Sequence, residues 1–188
     1  MAIPVSELQK INPSSHIELF TLQLDTALHG NNNIFRFHAG VNEINSDIIW
    51  QGDQYVKFPV KAEGFEYTGS GQIPRPVFTV SNVLSTITAL MIQVNTVTAG
   101  NDLNGSKFTR IVTLAKFLDN ANFLSGTNPY GTPSSDEFPR EIFFIDRKII
   151  ESREVVTFEL VSEMDLVNLR LPRRQVTRKL FPGVGTFF

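Results

Sequence analysis

His16, His29 and His38 are the first side chains to test for chemistry. A metal centre needs imidazoles and carboxylates at recurring ligand spacings, and these three histidines share no such spacing. His16 opens an alternating run and His38 lies among aromatics, positions that suit packing or surface roles. Two carboxylate pairs, Glu63 with Glu66 and Asp136 with Glu137, fall in turns or on strand edges. General acid–base work needs two carboxyls with separated pKa values in a cleft, and nothing around these pairs points to one. The stretch "YTGSGQIPRP" (67–76) is rich in glycine, but a proline pair and a strand follow it. No helix N-terminus is then available to hold a phosphate. No G-x-S-x-G elbow occurs. The chain has no cysteine, which excludes disulfides, thiolate catalysis and Cys-ligated zinc or iron–sulfur centres. These residues predict a protein that is not an enzyme and carries no metal site and no cofactor.

One charge cluster stands out. Arg170, Arg173, Arg174, Arg178 and Lys179 run into an apolar stretch holding Phe181, Phe187 and Phe188. Such a cluster can meet phosphates or an acidic partner. Pro172 and Pro182 bracket it, so an extended segment is expected rather than an amphipathic helix. Single-strand nucleic-acid binders interleave basic charge with stacking aromatics, whereas here the aromatics follow the charges. Net charge is −2 over 188 residues, without the basicity of a nucleic-acid binder. The eight residues named are therefore candidate interface residues for protein docking. The longest mostly apolar stretch, Val83 to Val94, is 12 residues. A membrane span needs about 20, so none is expected. The N-terminus "MAIPVSELQK" lacks the charged and apolar regions of a signal peptide.

The elements that must position these residues read mostly as strands. Hydrophobic residues make up 41% of the chain and charged ones 19%, as in a globular domain. "HIELFTLQLD" (16–25) alternates, with a frame slip between Leu19 and Phe20 that suggests a bulge or bend. "NIFRFHA" (33–39) reads as the return arm of a hairpin. "QGDQ" (51–54) is a turn between two strands. "RPVFTVSN" (75–82), "SKFTRIVTLAKFLD" (106–119) and the two arms of "REIFFIDRKIIESREVVTFELVSE" (140–163) read as further strands. Residues 82–95 are the best helix, with Asn82 as N-cap and Val83, Ile87, Leu90, Met91 and Val94 on one face. "PVSELQK" fits a single helical turn started by Pro4, and another short turn is expected near Ser162 or Asp165. "NPYGTPSSDEFP" (128–139) has the composition of an exposed loop and is a second candidate interface segment. The count is eight to ten strands with one real helix. That predicts a mainly β (α+β) fold of sandwich or barrel type with a flanking helix. The domain organisation is a β-rich unit over 1–167 and a C-terminal docking extension over 168–188.

An ordered set of short motifs adds a resemblance. It comprises "WQGDQY" (50–55), "EGFEYTGSGQIPRPVFTVSN" (63–82), "LNGSKFTRIVTLAKFLDNANFLSGTNP" (103–129), "IDRKIIESREVVTFELVSEMD" (145–165) and "LPRRQV" (171–176). In order and approximate spacing, over residues 16–180, the series resembles the minor tail protein L family of lambda-type phages with long, non-contractile tails. The resemblance implies a tail-tube-like fold of packed β-sheets and a structural role at the tail tip of the virion, made in the host cytoplasm. It implies a homotrimeric ring, a baseplate-hub element between the distal tail protein and the central hub or host-recognition protein. DNA would pass through its lumen without sequence-specific binding. Family members typically continue past "LP-x-R" into a four-cysteine iron–sulfur domain, and this cysteine-free chain cannot hold such a cluster. A naturally short branch and a truncated form both fit. A carbohydrate- or ligand-binding β-sandwich module is the alternative function, and it would need an exposed aromatic platform near Trp50 and Tyr55.

Overall fold

The computed structural model describes residues 3–40, 46–67, 69, 73–165 and 176–185. Its strands are β1 (His16–Gln23), β2 (Ile34–His38), β3 (Ile48–Trp50), β4 (Asp53–Lys57), β5 (Val60–Glu63), β6 (Val77–Ser81), β7 (Lys107–Leu114), β8 (Glu141–Glu151) and β9 (Val155–Val161). Helices are α1 (Val5–Leu8), α2 (Thr26–His29) and α3 (Thr86–Asn95), with short 3₁₀ turns at Ala115–Phe117, Asn120–Asn122 and Glu163–Asp165. The strands join in one nine-stranded sheet of order β3-β4-β2-β1-β7-β8-β9-β6-β5. All pairings are antiparallel except β2 with β4. The fold is mainly β with a flanking helix, as the sequence predicts.

The sheet is rolled. β2 and β6 lie five places apart in the strand order, about 24 Å on a flat sheet at some 4.8 Å per step. Yet the rings of Phe37 on β2 and Phe78 on β6 stack with centroids 5.6 Å apart. Phe78 also packs on Phe108 of β7 at 4.9 Å. Residues Phe58 and Pro59 complete the roll, because they join β4 to β5 across the two ends of the strand order. Phe58 N donates to His38 O on β2 (3.0 Å), and Ser81 N on β6 donates to Pro59 O (3.0 Å). The rolled interior holds the larger core, including Phe20, Leu22, Phe108, Phe143 and Phe158.

A smaller core, around Ile17, Leu19, Trp50, Tyr55 and Ile111, lies on the opposite face. It explains the frame slip in β1. The strand pairs with β7 in unbroken register from His16 to Gln23, with no bulge. Ile17 and Leu19 point one way and Phe20 and Leu22 the other, by the period of two. The first half of β1 thus buries one face and the second half buries the other. The register irregularities lie instead in β8 against β9, between Ile145 and Arg147 and between Lys148 and Ile150.

The helix starts later than the sequence predicts. α3 begins at Thr86, and Val83 and Leu84 are exposed. Asn82 still caps it, from three residues upstream of the N-cap position. Its Oδ1 accepts from Thr88 N at 3.3 Å, while its Nδ2 donates to Ser152 O at 3.0 Å. The buried Asn82 therefore ties α3 to the β8–β9 turn. Met91 and Val94 enter the core, with Ile87 and Leu90 packed against it.

Candidate interface surfaces

An unpaired sheet edge is a template for another chain. β3 is an edge strand, but a side chain covers its middle. Asn122 Oδ1 accepts from Ile49 N at 2.7 Å, and Asn122 Nδ2 donates to Ile49 O at 2.7 Å. One carboxamide thus takes the place of a neighbouring strand. The loop behind it is held in turn. Asp119 Oδ2 accepts from Gly52 N at 2.9 Å, and the buried Asn128 donates to Ala115 O, Lys116 O and Leu118 O at 3.0–3.1 Å. This is the "FLDNANF…NP" motif, whose asparagines have the types for such latching. Nothing local in the motif marks that role, since the partner strand is 73 residues away. At the other edge, β5 pairs with β6 alone among the described residues.

The loop over 128–139 is not the free segment that its composition suggests. Phe138 N donates to Val112 O, Ser134 N to Phe117 O, and Thr113 Oγ1 to Asp136 O. Glu137 is buried in an ion pair with Arg140 at 2.7 Å, and Phe138 packs on His16 at 5.4 Å. Backbone bonding therefore straps the loop along the end of β7, leaving Tyr130 exposed.

Of the eight predicted interface residues, Arg178, Lys179 and Phe181 lie in the described stretch 176–185. Arg170, Arg173, Arg174, Phe187 and Phe188 lie outside the described residues. The stretch is a series of turns: Leu180 N and Phe181 N donate to Thr177 O, and Val184 N to Phe181 O. Arg178 Nε donates to Val184 O at 3.2 Å. Leu180 is 58% exposed and Phe181 45%.

Between α3 and β2 the rolled sheet leaves a cleft of about 690 Å³. Phe37, Phe78 and Phe158 line it, along with Ile87 and Leu90 of α3. At its rim stand Ile34 and Val56, both exposed. Arg36, the one charged residue lining the cleft among the described residues, is paired with Asp53 at 3.1 Å. Nearby, Asp47 accepts from Lys57 N at 3.0 Å and from Gln54 Nε2 at 2.7 Å. These hydrogen bonds hold its carboxyl below the usual range. No sequence signal marks the cleft, because its walls come from strands far apart in the chain.

A separate cluster surrounds the arginine of the "PRP" motif. Arg75 meets Glu159 on β9 at 3.2 Å, Asp146 on β8 at 3.9 Å, and Asp165 in the 3₁₀ turn after β9. Inside the roll, Arg110 bonds Glu18 and Glu141 and stacks over Phe65 at 4.6 Å. These are structural ion pairs. Glu63 pairs with Lys61, and among the described residues no three His, Asp or Glu side chains group to hold a metal. Trp50 and Tyr55 are both buried, 1% and 3% exposed. The aromatic platform required by the carbohydrate-binding alternative is therefore not formed by them.

The sequence model of the phage minor tail protein L family matches residues 26–184. Among curated proteins, tail tip protein L of Escherichia phage lambda is 34% identical over 99 residues, covering 53% of this chain and 40% of that relative. The matched part is thus well under half of the relative's length. The match to the family runs from α2 through β9 and on into the exposed stretch around Arg178 and Phe181. The chain belongs to the phage minor tail protein L family.

Proposed function

We propose that this structural phage tail protein forms a three-fold ring at the tail tip, linking the distal tail protein to the central hub or host-recognition protein. The domain over 1–167 supplies the ring body, and the extension over 168–188 docks onto a neighbour. The role is assembly rather than catalysis. Production in the host cytoplasm and incorporation into the virion follow from it. So does a lumen that passes DNA without a strong positive lining, since Lys and Arg there would hold phosphates.

The observation that carries this reading is the apolar surface left open on a family member named for the tail. Leu180 and Phe181 stand exposed beside Arg178 and Lys179. Covering large apolar side chains contributes roughly 1.5–3 kcal/mol each. Sedimentation of the chain, alone and with its neighbouring tail protein, tests the reading. A ring mass is expected, and a chain that stays monomeric in both mixtures refutes it. Deleting residues 180–188 should weaken assembly and leave the melting temperature nearly unchanged.

A further inference from the structure

The α3–β2 cleft is apolar at depth, and Asp47 adjoins it through Gln54. Phe37, Phe78 and Phe158 form the floor, and removing water from such a surface is favourable. Its volume of about 690 Å³ accommodates several large side chains. Arg36 is already neutralised by Asp53, so an anionic ligand would gain little there. Asp47 differs: its carboxylate is held by a backbone N–H and a side-chain amide, both neutral groups. It touches Gln54, which lines the cleft. A negative charge therefore lies one hydrogen bond away from a residue that lines the apolar cleft.

The chain itself carries the complementary pattern. Residues 178–181 read Arg-Lys-Leu-Phe, two cations followed by two large apolar side chains, and no charge follows up to Phe188. We infer that residues Arg178–Val184 of one copy dock in the α3–β2 cleft of a second copy, Leu180 and Phe181 entering over the phenylalanine floor and the two cations facing Asp47. The inference rests on the ring reading and names its contact. The contact is head-to-tail, the kind that generates a closed ring when the rotation closes. An uncharged insert buries no unpaired charge, so the desolvation penalty of a buried ion does not arise.

The cysteine-free sequence makes the test direct. One full-length chain carries Val56→Cys, a second carries Phe181→Cys plus a mass label, and the two are mixed and oxidised. Both sites are exposed, so neither change opens the core. A disulfide heterodimer should form at least about tenfold faster than with Leu124→Cys in place of Val56→Cys, because docking raises the local thiol concentration. Adding Asp47→Lys should slow it roughly three- to tenfold, the scale of reversing an exposed charge contact. Equal rates at Val56 and Leu124 overturn the inference. An internal disulfide in monomers of the Val56→Cys/Phe181→Cys double variant also overturns it, by assigning the cleft to the chain's own segment. A ring of correct mass without the heterodimer removes only the cleft contact, whereas a monomer removes the ring reading as well.

Discussion

Single side chains do unusual amounts of structural work in this protein, and Asn122 is the clearest case. It satisfies both backbone groups of Ile49 and bonds Asp119 O as well. Asn122→Ala leaves those groups without partners, at a cost of about 1–3 kcal/mol. Denaturant midpoints should fall accordingly, and light scattering should show concentration-dependent association through the uncovered β3 edge. A variant as stable and as monodisperse as the parent refutes that role. His38 sets a pH dependence. It is buried, accepts from Gly40 N at 3.0 Å through Nδ1, and donates to Ser46 O at 3.1 Å through Nε2. Burial pushes its pKa below the usual value. Well above about pH 6.5 the ring is neutral in both states. As pH falls, the unfolded chain takes up a proton that the folded ring resists, so stability drops toward acid. His38→Gln can keep both hydrogen bonds and should flatten the stability profile between pH 7 and 5, measured by urea unfolding. Glu7 acts lower on the scale. Its pairs with Lys10 and Lys116 hold its pKa at about 2. Their stabilisation is present above pH 4.5 and is lost as pH falls toward 2.

Turns and strand faces explain how far the elements were legible. The "QGDQ" turn was plain in the sequence, and the structure gives its type. Gln51 and Gly52 have φ of 53° and 79°, so the two-residue loop is of type I′, which favours Asn-Gly. Gln51 is strained there. Gln51→Asn should raise stability by a few tenths to about 1 kcal/mol, read from the thermal midpoint; a drop would show that Gln51 has a contact of its own. The strands were legible because alternation reports a half-buried sheet directly. Two features were not. The slip in β1 is a change of buried face, and only the second core, supplied by β3, β4 and the turns after β7, makes that change visible. The late start of α3 follows from Asn82 bonding Ser152, 70 residues away. Local pattern carries no trace of such a partner. The interface residues divide the same way. The basic-apolar order of 178–181 is a local signal, while a cleft that could receive it exists only after the sheet rolls.

At the scale of the whole molecule, the rolled sheet sorts its surfaces into closed and open ones. Among the described residues, the middle strands β1, β7, β8 and β9 have partners on both sides, β3 is covered by Asn122, and β5 is paired on one side. Two kinds of ring contact are then available: strand addition at β5, or insertion into the α3–β2 cleft. They differ in what they would protect. Edge addition would bury the outer amides of Val60–Glu63, and Lys61 and Glu63 already pair with each other there. Charged residues on an edge are a common device against strand addition. Cleft insertion would instead shield β2 and α3. Hydrogen exchange of free and assembled protein separates the two. Assembly should slow exchange in Ile34–Phe37 and Thr86–Gln93 and in the docked stretch 178–184. The amides of β5 should exchange at similar rates in both forms. Ile49 should be slow throughout, because Asn122 holds it before any neighbour arrives. Slowing confined to β5 would place the contact at the sheet edge and leave the cleft without an occupant.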